Sequence, residues 1–278
     1  RIHRKLIYRT YLYGIDGGWR EGKPNAREGL CALVLPASCK ITKNPMNTRI
    51  EHEKWMRRCI QLARGGALYA SPNPMVGAVI VHDGRIIGEG FHVRCGQAHA
   101  EVNAINSVRP EDCALLAEST IYVSLEPCAH YGRTPPCAEL IVRTGIPRCV
   151  VGCQDPFAKV AGRGIAILRE AGVDVTVGVL EAECLALNSH FMTAQMQQRP
   201  FITLKWAVSA DGFIGRWSDD DALLPQPVAL STPRSLLRVH HLRSLHDAIL
   251  VGHTTLLSDH PRLTTRLWSG PSPLRVVL

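Results

Sequence analysis

The 278-residue chain is long enough for two cores, and its charged fraction of 20% with 46% hydrophobic residues is that of a folded protein rather than a disordered one. It has no apolar run long enough to cross a bilayer and no signal-peptide pattern at its start. The formal charge of +8 is concentrated: residues 1–45 hold nine Lys or Arg against three acids, leaving +2 for the remaining 233 residues, so a nucleic-acid partner is not indicated. Ten cysteines without an extracellular signature, several of them inside apolar segments, fit a reducing compartment such as the cytoplasm.

Residues 1–45 show neither helical nor strand periodicity and read as a basic extension outside the fold, with a transit peptide as the rival. From Glu51 to Arg64, Trp55, Met56, Cys59, Ile60 and Ala63 recur at three- and four-residue steps, which predicts a helix ended by Gly65-Gly66. Ser71-Pro72-Asn73-Pro74 reads as a rigid turn. Two apolar runs, 76–81 and 86–91, flank Asp83-Gly84 and predict a hairpin. A helix is expected over 96–105, with His99 and Glu101 in its first turn.

A strand over 120–125 should deliver Cys128 at its C-terminal edge, where open α/β sheets bind ligands. Pro135-Pro136 starts a helix from Cys137 to Thr144; a thiol at that helix end has its thiolate favoured. A strand at 149–152, a helix at 164–171 and a strand at 173–179 follow. The order predicts a three-layer α/β/α sandwich with a mixed sheet over 46–180. One helical segment, 181–197, falls within a linker at 181–199. A second unit over 200–278 is expected to hold a strand at 201–207, an acidic loop at Asp219-Asp220-Asp221, a helix at 233–245, a strand at 248–251, a short helix at 254–258 and a final strand from Leu274. It reads as an incomplete domain.

The chemistry-bearing set is His99-Ala100-Glu101 with Pro127-Cys128 and Cys137. One histidine and two cysteines are three zinc ligands, and a catalytic zinc site keeps its fourth position for water, whose pKa the metal lowers. Glu101 is then free to shuttle protons. His-x-Glu followed by Pro-Cys and a second Cys is the pattern of zinc-dependent nucleobase deaminases. Any single cysteine here would more often be a core residue; the joint pattern is what points to metal.

Eight residues separate Cys128 from Cys137, where most deaminases have two. That spacing, the intervening His-Tyr-Gly-Arg-Thr-Pro-Pro, Ser71 to Gly77, Gln154-Asp155-Pro156 and Val160-Ala161-Gly162-Arg163-Gly164 together resemble the bifunctional deaminase–reductase family of riboflavin biosynthesis. The resemblance implies a cytidine-deaminase-like sandwich followed by a partial dihydrofolate-reductase-like α/β domain. It implies zinc-dependent removal of the 2-amino group of a phosphoribosylaminated diaminopyrimidinone, then NADPH-dependent reduction of the ribosyl chain. By the same resemblance Asn73 and Asp155 approach the deaminase substrate, and Lys205, Ala207, Arg243, Thr255, Asp259, Leu263 and Arg266 surround NADPH and the phosphoribosyl group. It further implies small-molecule substrates and a homo-oligomer, with no nucleic-acid or membrane partner. A family Ser-x-Trp segment is replaced here by Pro227-Val228-Ala229, and no glycine-rich stretch follows Pro273, so the chain is expected to deaminate without reducing. The rivals are a tRNA or free-nucleobase deaminase and a zinc-stabilised binding module closed by His130 or Cys95.

Overall fold

The computed structural model describes residues 45–131, 135–156, 161–215 and 228–278, with the side chains of residues 45–47 excepted. The extension up to residue 44, residues 132–134 between the cysteines, Val160, the acidic loop at 219–221 and Pro227 lie outside the described residues.

Helix α1 (Pro45–Ala63) starts earlier than its apolar period suggested, so Pro45 belongs to the fold. Its outer side is laced by Glu53, which accepts from Arg49 at 3.3 Å and Arg57 at 2.9 Å, both one turn away. Strands β1 (Gly77–His82) and β2 (Arg85–Phe91) form the expected hairpin. Asp83 and Gly84 both take positive φ, 44° and 73°, as a two-residue turn that follows strand twist requires. Next come α2 (Ala100–Asn106), a 3₁₀ segment (Pro110–Glu118) absent from the sequence expectation, and β3 (Thr120–Leu125). Helix α3 (Cys137–Arg143), β4 (Arg148–Cys153), α4 (Arg163–Glu170) and β5 (Asp174–Val177) complete the unit.

The five strands stand in the order β2-β1-β3-β4-β5, antiparallel on either side of β1 and parallel from β3 to β5. Side chains alternate between two cores. Ala78, Ile80, Ile121, Val123, Cys149 and Val151 face one side with residues of α2, α3 and α4. Val79, Val81, Tyr122 and Val150 face the other with Trp55, Met56, Cys59 and Ile60 of α1. Strands apolar on both faces must be covered on both, which gives three layers. Gly77 lets α1 cross closely, since a Cβ there would run into the carbonyl oxygen of Cys59.

The single helix expected over 181–197 is two helices, α5 (Glu181–Leu187) and α6 (Ser189–Gln197), broken at Asn188 with φ −112° and ψ 28°. Cys184 and Met192 bury in the α1-side core, so these helices pack on the first unit instead of merely bridging. The second unit carries α7 (Pro233–Ser244), β6 (Ala248–Val251), α8 (His253–Asp259) and β7 (Leu274–Val277), with β6 and β7 parallel. The strand expected at 201–207 is a correction. That stretch has only an isolated bridge at Leu204, and Ile202, Leu204 and Trp206 stay exposed, because no neighbouring ladder among the described residues covers them.

Candidate metal centre

Three elements converge at the C-terminal ends of β3 and β4. His99 is the residue before α2, with extended backbone (φ −74°, ψ 168°), and Glu101 lies in the first turn. Two positions apart within a helix would diverge by about 200°. Because His99 stands outside the helix, that divergence does not apply to it. Cys128 follows β3 beyond Pro127, and Cys137 opens α3.

The Sγ atoms of Cys128 and Cys137 lie 3.5 and 3.4 Å from His99 Nδ1, and all three donor atoms fall within 4.8 Å of one another. Zinc–sulfur and zinc–nitrogen bonds of about 2.3 and 2.0 Å at a tetrahedral angle span roughly 3.5 Å between ligands, so the set fits zinc. Among the described residues, neither His130 nor Cys95 joins the cluster. The backbone N–H of Cys137 donates to Cys128 Sγ at 3.3 Å. That thiol is pulled down to about 4, first by its contact with Cys137 and then by His99, while Cys137 is pushed up. A lowered Cys128 thiol suits metal binding, because the thiolate is the form that binds. Contact with Cys128 raises His99 in turn.

Glu101 is 3% exposed and sits beside the cluster without joining it. Burial, then the neighbouring Cys128, raises its carboxyl to about 7, so it can both take and give a proton near neutrality. A bound dication would pull that value back down.

His92, which sequence reasoning missed, links two of the expected residues. Its Nδ1–H donates to the Ala98 carbonyl at 3.0 Å, leaving Nε2 to accept from Asn73 Nδ2 at 3.2 Å. The ring stands edge-on to His99 at 5.4 Å, which brings Asn73 toward the cluster. The only sequence signal was a histidine closing a strand seven residues before His99. Asp155 follows β4, and its backbone N–H donates to Glu126 at 3.3 Å. A cleft of about 380 Å³ lined by His52, Tyr122 and Arg148 sits at the opposite ends of the strands and contains none of these groups.

In the second unit, Arg243 on α7 donates through Nη1 to the Thr264 carbonyl at 3.0 Å, while its buried Nε finds no partner. Burial first and Arg266 second lower its pKa; Lys205 is lowered by crowding and then by Arg243. Arg243, repelled by both Lys205 and Arg266 and carrying an orphaned donor, suits an anionic group. His240, also missed, accepts through Nδ1 from the backbone N–H of Arg266 at 3.0 Å and Leu267 at 3.3 Å. Leu263 is buried with φ 57°. Among the described residues no side-chain hydrogen bond ties Ala207, Thr255 or Asp259 to these cations; Asp259 accepts from Ser258.

Residues 49–153 match the model for the cytidine and deoxycytidylate deaminase zinc-binding region, and residues 200–278 match the RibD C-terminal domain. The chain is 41% identical over 223 residues to the riboflavin biosynthesis protein RibD of Actinobacillus pleuropneumoniae, covering 80% of this chain and 57% of that protein. By these matches the chain is similar to the riboflavin-biosynthesis deaminase/reductases. A member from maize, PYRD, named as chloroplastic, is 49% identical over 166 residues, covering 59% of this chain and 41% of its own length. The solved structure of a diaminohydroxyphosphoribosylaminopyrimidine deaminase/5-amino-6-(5-phosphoribosylamino)uracil reductase from Thermotoga maritima is 42% identical, with a TM-score of 0.74. That match covers 83% of this chain and 63% of the other. Acinetobacter baumannii RibD is 35% identical at a TM-score of 0.70. The chain thus spans about three-fifths of the length of these RibD relatives, and the two matched regions agree with a deaminase sandwich followed by a reductase-type α/β unit.

Proposed function

We propose that the first unit hydrolyses the 2-amino group of 2,5-diamino-6-(5-phosphoribosylamino)pyrimidin-4-one, releasing ammonia and leaving the corresponding uracil. The observation that carries this reading is the three-donor cluster of His99, Cys128 and Cys137 with the buried Glu101 beside it. Zinc held by those three residues would activate water near neutral pH and act as a Lewis acid. Glu101 takes one proton from the water and passes it to the ring nitrogen as the oxygen adds to the ring carbon. It then carries the added hydroxyl's proton to the amine, which departs as ammonia while the carbonyl forms. Asn73, oriented by His92, and Asp155 hold the pyrimidine. The absence of a fourth protein ligand among the described residues favours an open site over a closed binding module.

The second unit is the part of a reductase that faces the NADPH phosphates and the phosphoribosyl group, through Lys205, Arg243 and Arg266. Thr255, Asp259, Leu263 and Ala207 belong to this reading through the family alone. The domains divide near residues 180 and 200, with α5 and α6 as the connection; the basic extension stands before α1. The eight described cysteines are free, which suits the cytoplasm or another reducing compartment. Among the described residues no helix is long and apolar enough to cross a membrane. Exposed Leu236, Leu237, Leu256 and Leu257 support a homo-oligomer.

Ammonia release tests the reading. The zinc-loaded protein should deaminate the phosphoribosylaminated diaminopyrimidinone and leave cytidine and tRNA untouched. Release from tRNA instead would place the chain with the nucleic-acid deaminases.

A further inference from the structure

Glu126 lies two residues before Cys128, is 4% exposed, and pairs with no cation among the described residues. Its partners are backbone amides. One carboxylate oxygen accepts from the N–H of Asp155 at 3.3 Å and Gly162 at 3.0 Å; the other accepts from Gly164 at 3.0 Å and Ile165 at 3.3 Å. Its own N–H donates to the Cys153 carbonyl at 2.9 Å, which ties the end of β3 to the end of β4. Helix α4 has Gly162 at its N-cap and no capping side chain of its own segment. Glu126 therefore satisfies the free amides at that helix start from a different element. The approach is close: a Cβ on Gly164 would collide with the Pro127 carbonyl oxygen.

We propose that Glu126 is a positioning residue that holds Asp155 and the start of α4 against the end of β3, and so places Asp155 relative to the metal cluster. This rests on the reading of Asp155 as a substrate contact. The distribution of the four bonds carries the argument. A residue needed only to cap α4 would bond Gly164 and Ile165; this one also holds Asp155, which follows β4 and lies outside the helix. A carboxylate can accept all four bonds because it has no proton to donate. A primary amide cannot, since its NH₂ would face two N–H donors.

Glu126→Gln is therefore the informative change, compared with wild type, Asp155→Ala and the double variant. Zinc content should stay at that of wild type. KM should rise about tenfold or more while kcat stays within about threefold, the pattern of lost substrate binding rather than lost chemistry. Added to Asp155→Ala, the change should cost little further, because the two act through one contact. The amides of Gly162 and Gly164 should exchange hydrogen faster than in wild type. An unchanged KM with a lowered melting temperature would reduce Glu126 to a structural cap and overturn the proposal, as would full additivity with Asp155→Ala. Should Glu126→Gln fail to fold, Glu126→Asp, which keeps the charge but shortens the reach, must raise KM, and an unchanged value overturns the idea. If wild type releases no ammonia, the functional reading fails separately. Amide exchange then decides alone, with unchanged protection at Gly162 and Gly164 counting against Glu126.

Discussion

The side chain of Asn188 hydrogen-bonds both polar atoms of the Met75 backbone: Nδ2 donates to the carbonyl at 2.8 Å and Oδ1 accepts from the N–H at 2.8 Å. Asn188 is 1% exposed and lies at the break between α5 and α6. It thus fixes the segment that follows Asn73 to helices more than a hundred residues away. Asn188→Ala would leave two part-buried backbone groups without their partner, at a cost of about 1 kcal/mol each. The expected outcome is a clear drop in the denaturation midpoint with unchanged zinc content. A midpoint equal to wild type would show that water replaces the amide at no cost.

The metal set gives a second prediction. Purified wild type should carry one zinc per chain, and Cys137→Ala should lose it. Glu101→Gln should keep the metal, since Glu101 is not among the cluster donors, while deamination falls about 10²–10⁴-fold. Metal analysis beside a rate measurement separates the two roles. Zinc loss in Glu101→Gln would make that residue a ligand.

Acid stability should report on Asp112. Arg85 holds its carboxylate at 2.7 and 3.1 Å and Arg109 at 3.1 Å, and these contacts, Arg85 first, lower its pKa to about 2. A carboxyl whose folded pKa lies below its unfolded value of about 3.9 stabilises the fold above that pH. The contribution fades as pH falls from about 4 toward 2. Arg85→Ala should flatten the pH dependence of the melting temperature across that window. An unchanged slope would mean Arg109 alone suffices.

Much of this site was legible because its chemistry lies in short contiguous motifs. His99, Cys128 and Cys137 could be picked out because few residue types can ligate zinc, and Glu101 because a carboxyl two positions from that histidine suits proton transfer. Strands β3 and β6 matched their expected bounds, since continuous apolar runs between turn residues leave little freedom. What stayed hidden depends on distant pairing. The break at Asn188 follows from a partner 113 positions away, and a helical period cannot register it. His92 is anchored on the Ala98 carbonyl and His240 on the backbone N–H groups of Arg266 and Leu267, and no side-chain pattern encodes the positions of backbone atoms. The 201–207 stretch has strand composition, but a ladder needs a neighbour.

The cation cluster of the second unit yields the last prediction. Burial and then Arg243 lower Lys205, burial and then Arg266 lower Arg243, and the buried Nε of Arg243 has no acceptor. Such an arrangement is unfavourable by itself and becomes favourable when an anion supplies acceptors and opposite charge. Pyrophosphate or NADPH should therefore raise the melting temperature, by an amount equivalent to about 2.7 kcal/mol at a hundredfold excess over Kd. Arg243→Met removes one member of the repelling set together with its bond to Thr264. The variant should respond much less to pyrophosphate, and high salt should mask the difference by screening. Zinc binding, in the other unit, should be untouched. An equal shift in Arg243→Met and wild type would move the anion site away from α7.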